Sequence, residues 1–457
     1  MRSAHAAPSP ESERALLNNR QIFLLWFPLA ISAMMMTGEI VLVQAAVGRL
    51  PDAKLMLAAL GVMFWLEVLI ESPLIMLLST STALTTSAQA YRVLRRFMIH
   101  LNLGVTVIAL AIAFIDPVFD LLLRSWMGIP DVVAGPTQTG MQIMSFWSAA
   151  IGWRRFNQGI LIRYGQPRQV TLGTLVRLTT SALTATSLVY YGALSGIVVA
   201  ATTFMLGVAS EALYAWWRSR AIIRRHLLHD EVPPAEPLTY RAVVDFHVPL
   251  AATSILSFIV MPLINAGLAR MQSPYESLAA WPIIYSVMLL FRGPGIALPE
   301  AVIALLRTTS DLAPLRRFCF TVAGASSALL AVFVLTPLLL FYLEFVVEAP
   351  AELEALIKTG LICGLALPGL AAASNYYRGM LMAGRATRIV YWGMAAYLVI
   401  TASGIAAGVG WQLPGITTTV SAVIIATLVE TIYLAWRSRP VRIARWPQEV
   451  TVADTNA

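Results

Sequence analysis

The sequence has few charged residues and almost no cysteine. Only 12% of its 457 residues are charged, whereas a soluble domain carries about a quarter. Its two cysteines, Cys319 and Cys363, lie in apolar runs and fit no disulfide or metal framework of recognised spacing. No glycine-rich phosphate loop is present, so the sequence contains no ATPase motif. Because 58% of the residues are hydrophobic and the mean hydropathy is +0.73, we predict an integral membrane protein.

The sequence also lacks a constellation for catalysis. His100 and His247 stand near predicted helix ends without the companions that a nucleophile or a metal site requires. His226 and His229 with Asp230 have a spacing that could recruit a metal, but their place in a polar linker favours a solvated loop. We therefore predict no enzyme, no metal site, no cofactor and no nucleic-acid partner.

Twelve apolar runs are long enough to cross a bilayer and predict an all-α fold. The runs are 21–47, 55–85, 97–126, 135–162, 169–191, 193–217, 240–269, 277–306, 318–346, 353–382, 389–409 and 414–436. The predicted organisation is a tail (1–20), an N-terminal six-helix bundle (21–218), a linker (219–238), a C-terminal six-helix bundle (239–437) and a second tail (438–457).

The distribution of arginine predicts the topology. Alternate loops and both tails are rich in arginine, whereas the opposite loops are short or acidic. By the positive-inside rule, both termini are cytoplasmic, and we expect a multi-pass protein of a bacterial-type inner membrane. Residues 1–20 lack the apolar core of a signal peptide, so the first run is expected to remain as a membrane helix.

The two halves repeat. At an offset of 221, Pro28-Leu29-Ala30 matches Pro249-Leu250-Ala251, and the motif ExxYxxWRSR recurs at an offset of 219 as Glu211–Arg220 and Glu430–Arg439. Each half has an even number of helices, so the repeats share their topology. They are expected to be related by a pseudo-twofold axis along the membrane normal, as in transporters built from parallel repeats.

Two bundles of this size joined by a charged linker resemble the superfamily of multidrug and toxic compound extrusion (MATE) transporters and lipid-linked oligosaccharide flippases, the MOP superfamily. The segments PLAIS with Gly38-Glu39, LAALG with Pro73, and NQGILIRYG are similar to the progressive ankylosis (ANK) family. This resemblance implies export of organic or phosphate-bearing anions such as citrate, pyrophosphate or nucleotides. The run LIMLLSTST after Pro73 departs from the polar and charged residues that this family tends to carry there.

Arginines inside apolar runs are the candidate substrate-binding residues. Arg154 and Arg155 lie well inside the fourth run, with Arg155 about 12 Å deeper along a helix than Arg163. A guanidinium at that depth needs an acidic partner or a wet cavity, and a forked donor set suits carboxylate or phosphate. Arg177 in the fifth run and Arg378 in the tenth reach similar depths and join this basic lining.

Glu71 and Arg292 occupy equivalent positions under the 221 offset, each two residues before a repeated proline, Pro73 or Pro294. We expect them to face a central cleft, as a gating ion pair or as binding groups, or else to pair within their own bundles. The prolines permit a bend that suits alternating access. Glu39 is either a proton-coupling carboxylate or the partner of an arginine.

These observations predict a secondary transporter, an antiporter that exports an anion by alternating access in the lipid bilayer. The central cavity is expected between helices one, two, seven and eight, with protons or sodium as the coupling ion. The alternatives are a lipid-linked glycan flippase, a MATE-type multidrug antiporter with acids in its cavity, and a non-transporting membrane regulator.

Overall fold

The computed structural model describes residues 17–228, 237–306, 308–384 and 386–445. Most of the N-terminal tail, the linker around His229 and Asp230, and the end of the C-terminal tail lie outside these residues. The described part is helical and contains no β-strand. Its first six membrane helices, which together we call the N-terminal bundle, are α1 (Asn19–Gly48), α2 (Ala53–Leu84), α3 (Ala88–Phe114), α4 (Asp131–Ile143 and Trp147–Arg163), α5 (Pro167–Tyr191) and α6 (Gly196–His226).

The second six helices form the C-terminal bundle and repeat the first. They are α7 (Tyr240–Leu268), α8 (Pro274–Leu305), α9 (Leu312–Leu335), α10 (Ala351–Cys363 and Leu367–Ala383), α11 (Thr387–Gly410) and α12 (Gly415–Arg445). The repeat extends to backbone irregularities. A π-helical segment precedes the fourth helix of each bundle, Asp120–Met127 in one and Tyr342–Val347 in the other. Asp52 and Ser273, 221 positions apart, both have positive φ angles.

Within the described residues, nine helices are long and apolar enough to span a membrane as single elements. The two halves of α10 form a tenth span with a bend of 41°. Helices α4 and α5 align with α10 and α11 in the repeat but are less apolar, because they carry Arg154, Arg155 and Arg177. The predicted twelve-helix protein is therefore confirmed, and its least apolar helices are those with intramembrane arginines.

Each repeated proline precedes a break in its helix by three residues. The first part of α2 ends at Ile75, and the first part of α8 ends at Ile296, so the breaks fall at Met76 and Ala297. A proline has no N–H to donate to the carbonyl four residues earlier. In α2 the Ser72 hydroxyl instead donates to the Leu69 carbonyl at 2.7 Å. A break in the helix thus follows the repeated proline in both bundles.

The two bundles are in contact on the side of the membrane opposite to the chain ends, which we call the distal side. The Lys54 ammonium lies 3.2 Å from the Glu276 carboxylate and 2.7 Å from that of Glu352, both in the other bundle. Deeper in the same interface, Asn265 donates to the Gly61 carbonyl at 3.2 Å. These contacts between α2, α7, α8 and α10 close the distal side.

The N-terminal part of the first helix of each bundle packs against the other bundle. Ile22 and Trp26 of α1 pack against the C-terminal bundle, and the Trp26 indole donates to the Pro294 carbonyl at 2.8 Å. The equivalent of Trp26 is His247 of α7, whose ring packs edge-on against Phe97 of the N-terminal bundle. The bundles are therefore interlocked by α1 and α7.

Candidate functional site

Glu211 of α6 is the centre of a buried polar cluster in the N-terminal bundle. Arg154 of α4 forms an ion pair with it, and both side chains are at most 5% exposed. Gln158, one turn further along α4, donates to the other carboxylate oxygen at 2.9 Å. An Arg177 Nη atom of α5 lies 3.7 Å from Glu211. The sequence identified Glu211 only as part of the repeated motif ExxYxxWRSR, whereas its carboxylate pairs with Arg154 and lies near Arg177.

Glu39 of α1 is held by α5. Arg177 donates from Nε to its Oε1 at 2.9 Å and pairs with its other oxygen at 2.5 Å. The Ser181 hydroxyl donates to Oε1 at 2.7 Å. Of the two expectations for Glu39, the structure shows the arginine partner, and coupling through this carboxylate stays a prediction. Arg177 links Glu39 to Glu211, so the N-terminal cluster connects four helices.

The C-terminal bundle has an ion pair in the corresponding place. Arg378 of α10 donates to Glu430 of α12 through both Nε, at 3.0 Å, and Nη2. Beside this pair is a cavity of about 190 Å³, to which Arg292 of α8 also contributes. The Nε of Arg292 is buried without a hydrogen-bond partner, and no ion pair in the described residues involves its guanidinium. Further lining residues include Ser257, Tyr285, Ser374, Asn375 and Tyr397.

The cluster and the cavity occupy the same place in the two repeats. At offsets of 219 to 221, the matching residues are Glu71 and Arg292, Arg154 and Ser374, Arg155 and Asn375, Gln158 and Arg378, Arg177 and Tyr397, and Glu211 and Glu430. The large arginine side chains of the first bundle are thus replaced by short polar side chains at two positions in the second. This difference leaves room for the cavity beside Arg292.

Glu71 and Arg292 do not form an ion pair, although both belong to the described part of the chain. Glu71 is buried within electrostatic reach of Arg154, Arg155 and Arg177, all in its own bundle. The repeat places equivalent residues in opposite bundles, and each of these two side chains faces the interior of its own. This conformation therefore shows no gating pair, and the roles of Pro73 and Pro294 in gating stay predictions.

The arginines of α4 and α5 lie within the N-terminal bundle and contact α1 and α6, whereas we expected them to line a cavity between the bundles. Arg155 is half-buried, and its Nε has no hydrogen-bond partner. Both carboxylate oxygens of Glu67, on α2, are buried without a hydrogen-bond partner. The lack of a partner for Glu67 results from the packing of several helices, and no pattern in the sequence indicates it.

The two sites differ in charge. The N-terminal cluster contains three arginines and three ion-paired or nearby acids, Glu39, Glu71 and Glu211. The C-terminal cavity has two arginines and one acid, so it carries excess positive charge. In the described part of the chain, no group of three His, Cys, Asp or Glu side chains is placed to hold a metal ion. The chemistry that the cavity offers is therefore recognition of an anion by guanidinium, hydroxyl and amide groups.

The fold is similar to that of solved transporter structures. An inward-facing multidrug resistance MATE family transporter of the MOP superfamily aligns with a TM-score of 0.72 and 14% identity, covering 92% of this chain and 98% of that one. An outward-facing structure of a MATE family transporter of the MOP superfamily gives 0.60, with 16% identity over 92% and 96% of the two chains. A MOP superfamily transporter from Pyrococcus furiosus gives 0.62, with 16% identity over 94% and 99%.

Neither a family model nor a curated protein sequence matches the chain. The structural similarity shows a multi-pass membrane protein with the MATE-type fold of twelve helices in two repeats. The narrower resemblance to the progressive ankylosis family stays a prediction.

Proposed function

We propose that this protein is a secondary transporter that exports an organic or phosphate-bearing anion by alternating access of its two bundles. The observation that carries this proposal is the cavity in the C-terminal bundle, where Arg292 has no acidic partner. An unpaired guanidinium within a membrane span is costly unless it faces a ligand or a wet cavity. Arg292 faces such a cavity.

The excess charge favours an anion over a cation. Glu430 is the acid of the cavity, and Arg378 already neutralises it. A cationic substrate would meet Arg292 without a free carboxylate to compensate. The Pyrococcus furiosus neighbour is described as having a binding pocket whose reverse polarity suggests a different function. The positive cavity supports a comparable departure from multidrug export here.

The size of the cavity favours a small substrate or a small charged group. Its volume of about 190 Å³ is below the roughly 300–1,000 Å³ of pockets that enclose drug-sized ligands. Ser374 and Asn375 add hydroxyl and amide groups that suit carboxylate or phosphate oxygens. A citrate- or pyrophosphate-class anion fits these properties, and a nucleotide would place only its phosphates there.

We assign anion binding to a residue of α8, whereas the sequence indicated residues of α4. Arg154 was the strongest candidate from the sequence together with Arg155, but Glu211 neutralises it. Arg177 is likewise engaged with Glu39. Arg155 stays a secondary candidate because its Nε has no partner. We therefore assign primary anion contact to Arg292, with support from Arg378.

The test is transport by the full-length protein in proteoliposomes with labelled citrate, pyrophosphate and ATP. We expect Arg292→Gln to raise the KM for the transported anion at least about tenfold, because a charge-assisted hydrogen bond contributes about 1.5–3 kcal/mol. Arg317→Gln removes an exposed arginine of α9 and serves as the matched control. Equal effects of the two substitutions would refute the assigned site.

A second variant tests the cavity itself. Ser374→Arg introduces the side chain that the equivalent position of the N-terminal bundle carries, and we expect it to fill the cavity and abolish anion flux. Absence of flux for every anion with the unmodified protein, together with binding of a lipid-linked diphosphate, would favour the flippase alternative. Absence of both would leave the non-transporting regulator.

A further inference from the structure

Glu67 has the most isolated carboxylate in the membrane-spanning part that the structure describes. It lies near the middle of α2, its residue is 0% exposed, and neither side-chain oxygen has a hydrogen-bond partner. Glu71 follows one turn later on the same helix, and like charges at this spacing repel. Nothing in this surrounding stabilises a negative charge at Glu67.

Charged groups on the helices packed against α2 do not compensate Glu67. Among the described residues, the Glu71 carboxylate is the charge that acts on it. The arginines of α4 act on Glu71, and Glu211 of α6 and Glu39 of α1 are bound to Arg154 and Arg177. The other charged and histidine side chains of these helices stand towards the helix ends or in the opposite bundle: Arg20, Arg92, Arg95, Arg96, His100, Asp131, Arg163, Arg218, Arg220, Arg224, Arg225, His226, Arg241, Asp245, His247, Glu276, Arg292 and Glu300.

A carboxylate that is buried, unpaired and next to another acid takes up a proton rather than keep its charge. We propose that Glu67 is a proton-binding site of the transport cycle. It holds a proton while the distal side is closed and releases it when the bundles move to the state in which the distal side is open. The step consists of one proton added to or removed from one carboxylate oxygen, with no other bond changed.

Glu67 lies on a helix that contacts both bundles. Helix α2 packs against α7 and α8 of the other bundle and breaks at Met76, nine residues after Glu67. We expect a movement of α2 at this interface to change the burial of Glu67. Through Glu71, one turn away, the site also adjoins the arginine cluster of α4 and α5. A change in the charge balance of that cluster would therefore alter proton affinity on α2.

This proposal rests on the proposed function, since a protein with one fixed conformation would not move Glu67 between environments. A measurement independent of transport separates the two. Infrared spectroscopy of the full-length protein detects the C=O stretch of a protonated carboxyl group in the membrane interior. We expect such a band in the unmodified protein at neutral pH, with a shift in heavy water, and its loss in Glu67→Gln.

Glu300→Gln is the matched control, because it changes an exposed acid near the C-terminal end of α8. This variant should retain the band. A band that is unchanged in Glu67→Gln would overturn the site, whatever the protein transports. Glu67→Asp keeps a carboxyl group at the same place, so it should retain the band even if its stability is lower.

The second measurement is anion flux with and without a pH gradient. We expect Glu67→Gln to keep anion exchange at equal pH but to lose stimulation by the gradient. If the gradient still stimulates that variant, Glu67 is not the coupling group. If the unmodified protein moves no anion while the infrared band is present and depends on Glu67, the proposed function fails and the proton site stands.

Discussion

Arg49 and Arg270, which are 221 positions apart, make the same contact in opposite directions across the distal side. The Arg49 guanidinium donates to the carbonyls of Val346 at 2.9 Å and Phe345 at 3.1 Å. Arg270 donates to the carbonyls of Ser125 at 3.2 Å, Trp126 and Met127. Each arginine ends the first helix of one bundle and binds the last carbonyls of the other bundle's π-helical segment.

These carbonyls lack partners within their own segment, because the chain turns at a residue of positive φ immediately after it. The following residue is Gly128 in one bundle and Glu348 in the other, and Glu348 also pairs with Arg49 at 3.1 Å. A Cβ on Gly128 would lie 2.9 Å from the Arg270 guanidinium carbon. The two arginines thus act as reciprocal clamps on the closed distal side.

Removal of the clamps should favour opening of the distal side. We expect Arg49→Ala and Arg270→Ala each to lower the free energy of closure by about 1–3 kcal/mol, since several hydrogen bonds to a charged group are lost. The double substitution should add the two effects, because the two arginines share no hydrogen-bond partner. Distances between spin labels at the distal ends of the two bundles measure the shift. Unchanged distance distributions in the double variant would contradict this account.

Gly61 of α2 lies at a close approach of the two bundles below the clamps. A Cβ at this position would lie 2.4 Å from Cγ of Pro282, a ring atom that cannot rotate away. We expect Gly61→Ala to separate the bundles on the distal side and to increase labelling of nearby engineered cysteines. Gly104→Ala is the control, because a Cβ there has no neighbour within 4 Å. Equal labelling of both variants would refute the prediction.

The two interior ion pairs should differ in their contribution to stability. Glu211→Gln leaves Arg154 buried without its partner, which costs about 3–5 kcal/mol in comparable pairs. Glu430→Gln should cost less, because the Arg378 side chain is 28% exposed and can reach water. Thermal unfolding in detergent compares the two. Replacing Arg154 and Glu211 together by Met and Leu should recover part of the loss, and an additive loss would exclude a coupled pair.

Pro73 should set the speed of transport more than its affinity. Pro73→Ala restores an N–H that can donate to the Leu69 carbonyl, which the Ser72 hydroxyl now satisfies. We expect a straighter, stiffer α2 and a turnover several-fold lower, with KM unchanged. Pro314→Ala, in the first turn of α9, is the control because the first turn has no intrahelical acceptor for its N–H. A change in KM without a change in turnover would show that Pro73 acts otherwise.

The sequence contained enough information for the fold. Its apolar runs predicted the helices, and identities such as Pro73 with Pro294 predicted the repeat, because proline and spacing act locally on each helix. The depth of Arg154 and Arg177 was also evident from the sequence. Their partners were not, because the identity of the side chain across an interface depends on the rotation of both helices.

The same limit explains the position of the candidate site. The repeat correctly related Glu71 to Arg292, but equivalence under a pseudo-twofold axis does not bring two residues into contact. The loss of arginine at Ser374 and Asn375 was evident from the sequence as broken symmetry. Only the packed structure shows that this loss creates a cavity beside Arg292. The sequence did not indicate a role for Glu67, because the absence of a partner depends on the packing of the surrounding helices.

The crossing of α1 and α7 has a consequence for biogenesis. When the ribosome has completed α6, the first turns of α1 still lack the surface that Ile22 and Trp26 cover, because that surface belongs to α8, α9 and α10. Helix α1 therefore lies in the bilayer without these contacts at first. Its Trp26 indole N–H has no acceptor until the segment that contains Pro294 has been inserted. The N-terminal bundle reaches its final packing only after most of the C-terminal bundle has been synthesised. Two halves expressed as separate chains would have to exchange their first helices in order to assemble.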